Sequence, residues 1–224
     1  MNADWIVQEG REDLLLFFNG WGMDRRVADW IHSANPSPNH DLVVLYDYRD
    51  LSLPVWLPEA MARYRTIDLA AWSLGVWAAG FAGLDRISRA VAINGTQFPI
   101  DALRGIPPEI FRGTLDSWSE ANRRRFERRM FVGSDGDDRL GELRSQRTAA
   151  DQQDELRAIA AAATEEAERP APSWRFTKAI IGERDLVFLP ENQRMAWQGT
   201  AIEEVKGMPH FPFFHLTGWP EVFA

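Results

Sequence analysis

Short apolar runs alternate with amphipathic or Ala-rich stretches through the first half of the chain. Leu14-Leu15-Leu16-Phe17-Phe18 is apolar at every position, as a strand buried on both faces should be. Trp5-Ile6-Val7, Leu42 to Tyr46, Ile67 to Ala71 and Arg89 to Gly95 also read as strands, with the turn-like Glu9-Gly10-Arg11 between the first two. Helical patterns fall between them: Val27 to Ile31 behind Asp24 as N-cap, Glu59 to Tyr64, and Val76 to Ala82. Such alternation implies βαβ units and a parallel sheet.

From Pro107 to about Arg169 the alternation stops and only helical patterning remains. Ser117-Trp118-Ser119-Glu120 reads as a capping box opening a helix through Phe131. Thr148 to Glu168 reads as a second, Ala-rich helix stopped by Pro170 and Pro172. Strand character resumes at Trp174 to Ile181 and again at Ala201 to Val205, and Trp219 to Phe223 closes the chain as a short helix. The expected organisation is an α/β core over 1–106 and 170–224, with 107–169 inserted as a helical lid over the C-terminal edge of the sheet.

The composition narrows the classes. With 224 residues, 45% of them hydrophobic, the chain can build one domain with a real core. It has no Cys, which removes disulfides, thiolate chemistry and zinc-thiolate sites. Net charge is −8, against general nucleic-acid binding. No basic-then-apolar leader opens the chain, and no apolar run reaches the roughly 18 residues of a membrane span. A cytoplasmic, monomeric protein without cofactor or metal is expected. Asn94-Gly95-Thr96 is a glycosylation sequon by pattern only.

The candidate chemistry centres on Ala71-Trp72-Ser73-Leu74-Gly75. A serine between a buried strand and a helix, with small residues two before and two after it, is the context of a nucleophile elbow. Asp185 and His210 follow later strands, so all three residues fall at one sheet edge, where open α/β sheets bind ligands. A serine hydroxyl needs a base to become a nucleophile, here His210, and an acid to hold the imidazole tautomer, here Asp185. The tetrahedral oxyanion needs fixed donors, each worth about 3 kcal/mol. The backbone N–H groups of Leu74 and of Trp21, between Gly20 and Gly22, are the candidates. Plainer readings exist: Ser73 as a helix cap, His210 as a packed loop residue, Glu183 in place of Asp185, His215 as a rival base. His32 and His40 lie in the wrong part of the order. Phe98, Phe126 and Phe131 could line an acyl pocket or simply form lid core.

A second feature is Arg123-Arg124-Arg125-Phe126-Glu127-Arg128-Arg129. On a helix Arg124 and Arg128 share a face, as do Arg125 and Arg129. This local positive patch on a negative protein is either a solvated helix face or a dock for an acidic partner.

Phe17-Phe18-Asn19-Gly20-Trp21-Gly22-Met23-Asp24, Ala71 to Gly75, Ala92-Ile93-Asn94-Gly95-Thr96 and His210-Phe211-Pro212-Phe213 together resemble the BioG family of small α/β-hydrolases in biotin synthesis. The resemblance runs from about Leu14 to Phe214 and is least close in the inserted helices. It implies an α/β-hydrolase fold and a methyl ester esterase acting on pimeloyl-acyl carrier protein. It also implies Ser73 as nucleophile, Asp185 as acid, His210 as base and the Trp21 turn as oxyanion hole. Phe126 and the arginines 124, 125, 128 and 129 are the expected carrier-protein surface. The same triad would also serve a thioesterase or another carboxylesterase.

Overall fold

The structure, a computed structural model, describes residues 1–37, 39–131, 140–164 and 172–224. Seven strands form one sheet: β1 (Asn2–Val7), β2 (Asp13–Phe18), β3 (His40–Tyr46), β4 (Thr66–Trp72), β5 (Arg89–Ile93), β6 (Lys178–Arg184) and β7 (Ala201–Pro209). Their order is β1-β3-β2-β4-β5-β6-β7. Every neighbouring pair is parallel except β1 with β3. β2, apolar from Leu14 to Phe18, lies between β3 and β4, where both of its edges are paired. The half-buried β1 reaches past it and takes the edge of the sheet, a position that tolerates its polar Asn2 and Asp4.

The side chains of the central strands separate by parity onto two faces. Leu14, Leu16 and Phe18 of β2 join Leu69 and Ala71 of β4 in one core. That core is covered by α2 (Trp56–Met61), α3 (Leu74–Phe81) and parts of α4 (Pro108–Asp116) and α7 (Ala149–Thr164). Leu15, Phe17, Ala70 and Trp72 face the other core, under α1 (Arg26–Ala34) and α9 (Trp219–Val222). Phe211 and Phe213 fill the second core around the Trp72 ring, with centroids 5.5 Å away in both cases.

Between β5 and β6 the chain forms α4, α5 (Glu120–Met130), α6 (Leu140–Leu143) and α7. Several boundaries differ from the sequence expectation. The α5 cap is Ser119, whose Oγ accepts the Asn122 N–H at 3.3 Å. Ser117 instead ends α4, its hydroxyl donating to Gly113 O at 2.6 Å. Asp24 is one residue early for the α1 N-cap position, though its Oδ1 still accepts the Arg26 N–H at 3.1 Å. Trp174 to Thr177 are not strand: β6 begins at Lys178, where pairing with Val91 of β5 starts. β7 continues through Lys206 to Pro209, delivering His210 directly from the sheet. The helix α8 (Pro190–Ala196) has too many polar residues to announce itself by periodicity. The Ala-rich helix is described to Thr164, and the expected continuation to Glu168 and stop at Pro170 lie outside the described residues. No described helix is long and apolar enough to cross a membrane.

Candidate active site

Ser73 is the hinge between β4 and α3, with φ 59° and ψ −132°. A non-glycine residue pays about 1–3 kcal/mol for such a backbone, so its surroundings must hold it there. They do so by close packing. A Cβ on Gly75 would fall 2.5 Å from both Phe18 O and Asn19 O, and one on Gly95 would fall 2.3 Å from Ser73 O. Only glycine lets the three backbone segments approach this closely.

His210 Nε2 lies 2.9 Å from Ser73 Oγ. Its Nδ1 faces the Asp185 carboxylate at 3.0 and 2.9 Å, so Nδ1–H donates and Nε2 is left to accept the serine proton. Asp185 follows β6, and its Oδ1 also accepts the N–H groups of Val187 and Phe188 at 2.8 and 3.0 Å. Gln193 Nε2 of α8 donates to its Oδ2 at 3.1 Å. All three groups are buried: Ser73 is 6% exposed, Asp185 and His210 1% each. The imidazole lies between the Phe188 ring, stacked at 6.2 Å, and Trp72, at 5.5 Å. The rivals are elsewhere. His215 and Glu183 are exposed, and His40 bonds Asp68 across β3 and β4 at 3.2 Å.

Two residues that sequence reasoning did not single out hold the histidine backbone. The His210 carbonyl accepts Trp72 Nε1–H at 2.9 Å and Asn94 Nδ2–H at 3.0 Å. Asn94 also donates to Pro209 O at 2.8 Å and accepts the Gly182 N–H at 2.7 Å, tying the ends of β5, β6 and β7 together. It is fully buried with φ 46°, a backbone that asparagine tolerates. Its glycosylation sequon is therefore a coincidence of spacing. The signal available in the sequence was an Asn-Gly pair closing an apolar strand.

Opposite the serine is the turn Asn19 to Met23. Gly20 N–H is taken by Asn19 Oδ1 at 2.9 Å, Gly22 N–H by Glu155 Oε2 at 3.1 Å and Met23 N–H by Gly20 O at 3.3 Å. Among the described residues the Trp21 N–H has no acceptor. Leu74 opens α3, where the first N–H groups of a helix lack intrahelical partners.

A cavity of about 30 Å³ at Ser73 and His210 is lined by Gly20, Trp21, Leu74, Ile110, Phe126 and Arg129, among others. It shares Ile110, Thr114, Phe126 and Arg129 with an open groove between α4 and α5. A larger cavity of about 190 Å³ lies across the Trp21–Phe126–Met130 partition, and Phe131 lines that one. Phe98 lines neither and instead lies under the Arg104 guanidinium, 3.7 Å from the ring centroid. Of the arginine run, Arg123 is buried, bound to Glu127 at 3.2 Å and to the carbonyls of Ser145 and Arg147. Arg124, Arg125, Arg128 and Arg129 are exposed, and Arg129 donates to Leu186 O at 2.8 Å.

A serine, a histidine and an aspartate joined in sequence at the C-terminal edge of a mostly parallel sheet define the α/β-hydrolase class. The fold agrees. A lipase-esterase related protein from Clostridium acetobutylicum superposes with a TM-score of 0.63 at 13% identity, covering 96% of this chain and 94% of that one. The chain belongs to the BioG family, described as pimeloyl-ACP methyl esterase, which matches residues 1–222. The crystal structure of a BioG from Haemophilus influenzae superposes over the full length of both chains, with a TM-score of 0.87 and 32% identity. A Bacteroides fragilis protein named malonyl-[acyl-carrier protein] O-methyltransferase is 42% identical over 191 residues, 84% of this chain. The chain spans only 37% of that relative's length.

Proposed function

We propose that the chain is a serine esterase that hydrolyses the methyl ester of pimeloyl-acyl carrier protein in biotin synthesis, releasing methanol. The observation that carries this reading is the 2.9 Å Ser73–His210 contact, backed by Asp185, in a chain matched along nearly its whole length by that family. His210 Nε2 takes the Ser73 proton as Oγ attacks the ester carbonyl. The oxyanion forms against the N–H groups of Trp21 and Leu74, and His210 returns the proton to the departing methoxide. Water then enters, loses a proton to His210 and releases the acid. Asp185 stabilises the imidazolium in both halves.

The cavity beside the serine supports a small leaving group. About 30 Å³ holds one or two water-sized groups, enough for a methoxy group and too little for a long alcohol. The acyl chain and its carrier arm then leave along the α4–α5 groove, which is continuous with the site through Ile110, Thr114, Phe126 and Arg129. In this reading α4 to α7 are the lid, and the exposed Arg124, Arg125, Arg128 and Arg129 dock the acidic carrier protein. The name of the Bacteroides protein belongs to a much longer chain, and the serine-centred geometry here suits hydrolysis of a methyl ester rather than its formation.

The test is demethylation of pimeloyl-carrier-protein methyl ester, followed on a mobility gel, with Ser73→Ala beside the wild type. Cleavage by the wild type alone is expected. Labelling of Ser73 by a fluorophosphonate without demethylation would keep the hydrolase and discard this substrate. Paired Arg124→Glu and Arg128→Glu should weaken turnover of the carrier-bound ester while sparing a small methyl ester, and equal loss on both would overturn the docking face.

A further inference from the structure

Of the buried carboxylates outside the triad, one reaches the turn opposite Ser73. Glu155, on α7, is fully buried. Its Oε2 accepts the Gly22 N–H at 3.1 Å and its Oε1 the Tyr48 N–H at 2.9 Å. Arg147 Nη1 meets Oε2 at 2.6 Å, and the guanidinium also pairs with Asp151 at 2.5 Å and Asp47 at 3.5 Å. Arg49 closes the cluster by bridging Asp47 and Asp151.

We infer that Glu155 is a positioning residue that sets the oxyanion-binding turn against the nucleophile, an inference resting on the esterase reading and on Trp21 as a donor. The carboxylate grips the turn at both ends. One oxygen holds Gly22 directly. The other holds Tyr48, whose hydroxyl donates to Asn19 O at 2.6 Å, the residue that starts the turn. Gln152, one helical turn earlier on α7, completes the grip. Its Nε2 donates to Gly22 O at 2.8 Å, and its backbone carbonyl accepts the Trp21 indole N–H at 2.8 Å.

Only an acceptor with two oxygens can take N–H groups from two separate loops and a guanidinium together. Burial raises the Glu155 carboxyl above its ordinary range, and the charge of Arg147 opposes that rise. Without the carboxylate, two amides lose their acceptor, and the turn is held at Gly22 only through its carbonyl. The Trp21 N–H lies one peptide away. A displacement of about 1 Å at a reacting group costs about 10²-fold in rate, similar to losing one oxyanion donor outright.

Three variants test this. Glu155→Gln keeps a single acceptor oxygen. Glu155→Ala removes both and strands Arg147, so Glu155→Ala with Arg147→Met removes the stranded charge as well. Each is assayed for kcat and KM on methyl butyrate, a small methyl ester, by methanol release, normalised to Ser73 titrated to completion with a fluorophosphonate, beside its melting temperature. Expected is a fall of about 10²-fold in kcat per titrated site for the double variant, KM within about 3-fold, and partial recovery in Glu155→Gln. A lowered melting temperature with kcat per site within about 3-fold of wild type would reduce Glu155 to a buried ion pair and overturn the inference. Wild-type chain that neither turns over the ester nor takes the label would instead sink the esterase reading, and this inference with it.

Discussion

Asn94→Ala is the substitution whose cost can be worked most fully from the structure. The side chain makes three buried hydrogen bonds, to Gly182 N–H, Pro209 O and His210 O. Truncation removes all three but does not orphan all partners equally, because His210 O keeps the Trp72 indole at 2.9 Å. Two groups are left exposed to the loss, at about 1–3 kcal/mol each. Alanine at φ 46° adds about 1 kcal/mol that asparagine largely avoids. At the middle of that range the sum is about 5 kcal/mol, a fall in melting temperature of about 10–20 °C for a chain of this size.

The shared carbonyl makes the reasoning sharper. Trp72→Phe alone should cost about 1–2 kcal/mol, since Asn94 still serves His210 O. Together the two substitutions leave that carbonyl with neither donor, so the double variant should exceed the sum of the singles by about 1 kcal/mol. Urea unfolding of the four proteins measures the cycle, and esterase turnover of the still-folded variants reads whether His210 has moved. Asn94→Ala within about 1 kcal/mol of wild type, or strict additivity, would refute the assignment of Asn94 as the tie between the strand ends and the histidine.

Other substitutions test separate parts of the site. Ser73→Gly should abolish hydrolysis yet raise the melting temperature by a few degrees, because glycine relieves about 1–2 kcal/mol of strain at φ 59°; calorimetry showing a fall would contradict the strain. Gly75→Ala places a methyl 2.5 Å from two backbone carbonyls, so turnover should drop by 10-fold or more as the Asn19–Trp21 turn is pushed away, measured against fluorophosphonate-titrated sites. Asp68 tests the acid limb: burial alone would raise its carboxyl, but hydrogen bonds and charge from His40 and Arg89 outweigh burial and hold it below the usual range. Its stabilising contribution is therefore present above the unfolded value of about 3.9 and is lost as pH falls through the lower folded value. Asp68→Asn should flatten that limb of the unfolding free energy below about pH 4, and an unchanged acid limb would exclude Asp68 as its source.

Much of the framework was legible because it rests on local pattern. β2 is apolar from Leu14 to Phe18 and β4 from Leu69 to Trp72, and the serine lies between such a run and a helix with glycine two residues on. The register of α5 was legible too, though unread: Arg123, Phe126, Glu127 and Met130 recur at i, i+3, i+4 and i+7, the spacing of an inward face. That pattern alone turns Arg123 inward and leaves Arg124, Arg125, Arg128 and Arg129 outside. What the pattern does not carry is partnership between distant polar groups. Asn94 reads as the end of a strand and Glu155 as one more charge on an Ala-rich helix, because the backbone groups they bind lie 88 to 116 and 107 to 133 residues away. β1 likewise pairs with a strand more than thirty residues on, which no local periodicity encodes.

These distant bonds change what the inserted helices are for. A cover that only excluded water could be tethered loosely, with its contacts confined to apolar side chains. Here α7 supplies Gln152 and Glu155 to the Asn19–Met23 turn, and Met130 at the end of α5 accepts the Phe211 N–H at 2.9 Å, one residue beyond His210. Arg123 of α5 bonds the carbonyl of Arg147, and the Arg147 side chain pairs with Glu155. An unbroken series of polar contacts thus runs from the arginine-bearing helix to the turn opposite Ser73. The same helices that present positive charge to solvent also hold the backbone facing Ser73. Cutting them away would expose the serine but release the turn, so an open site made in that way should be a poorer catalyst than the closed one.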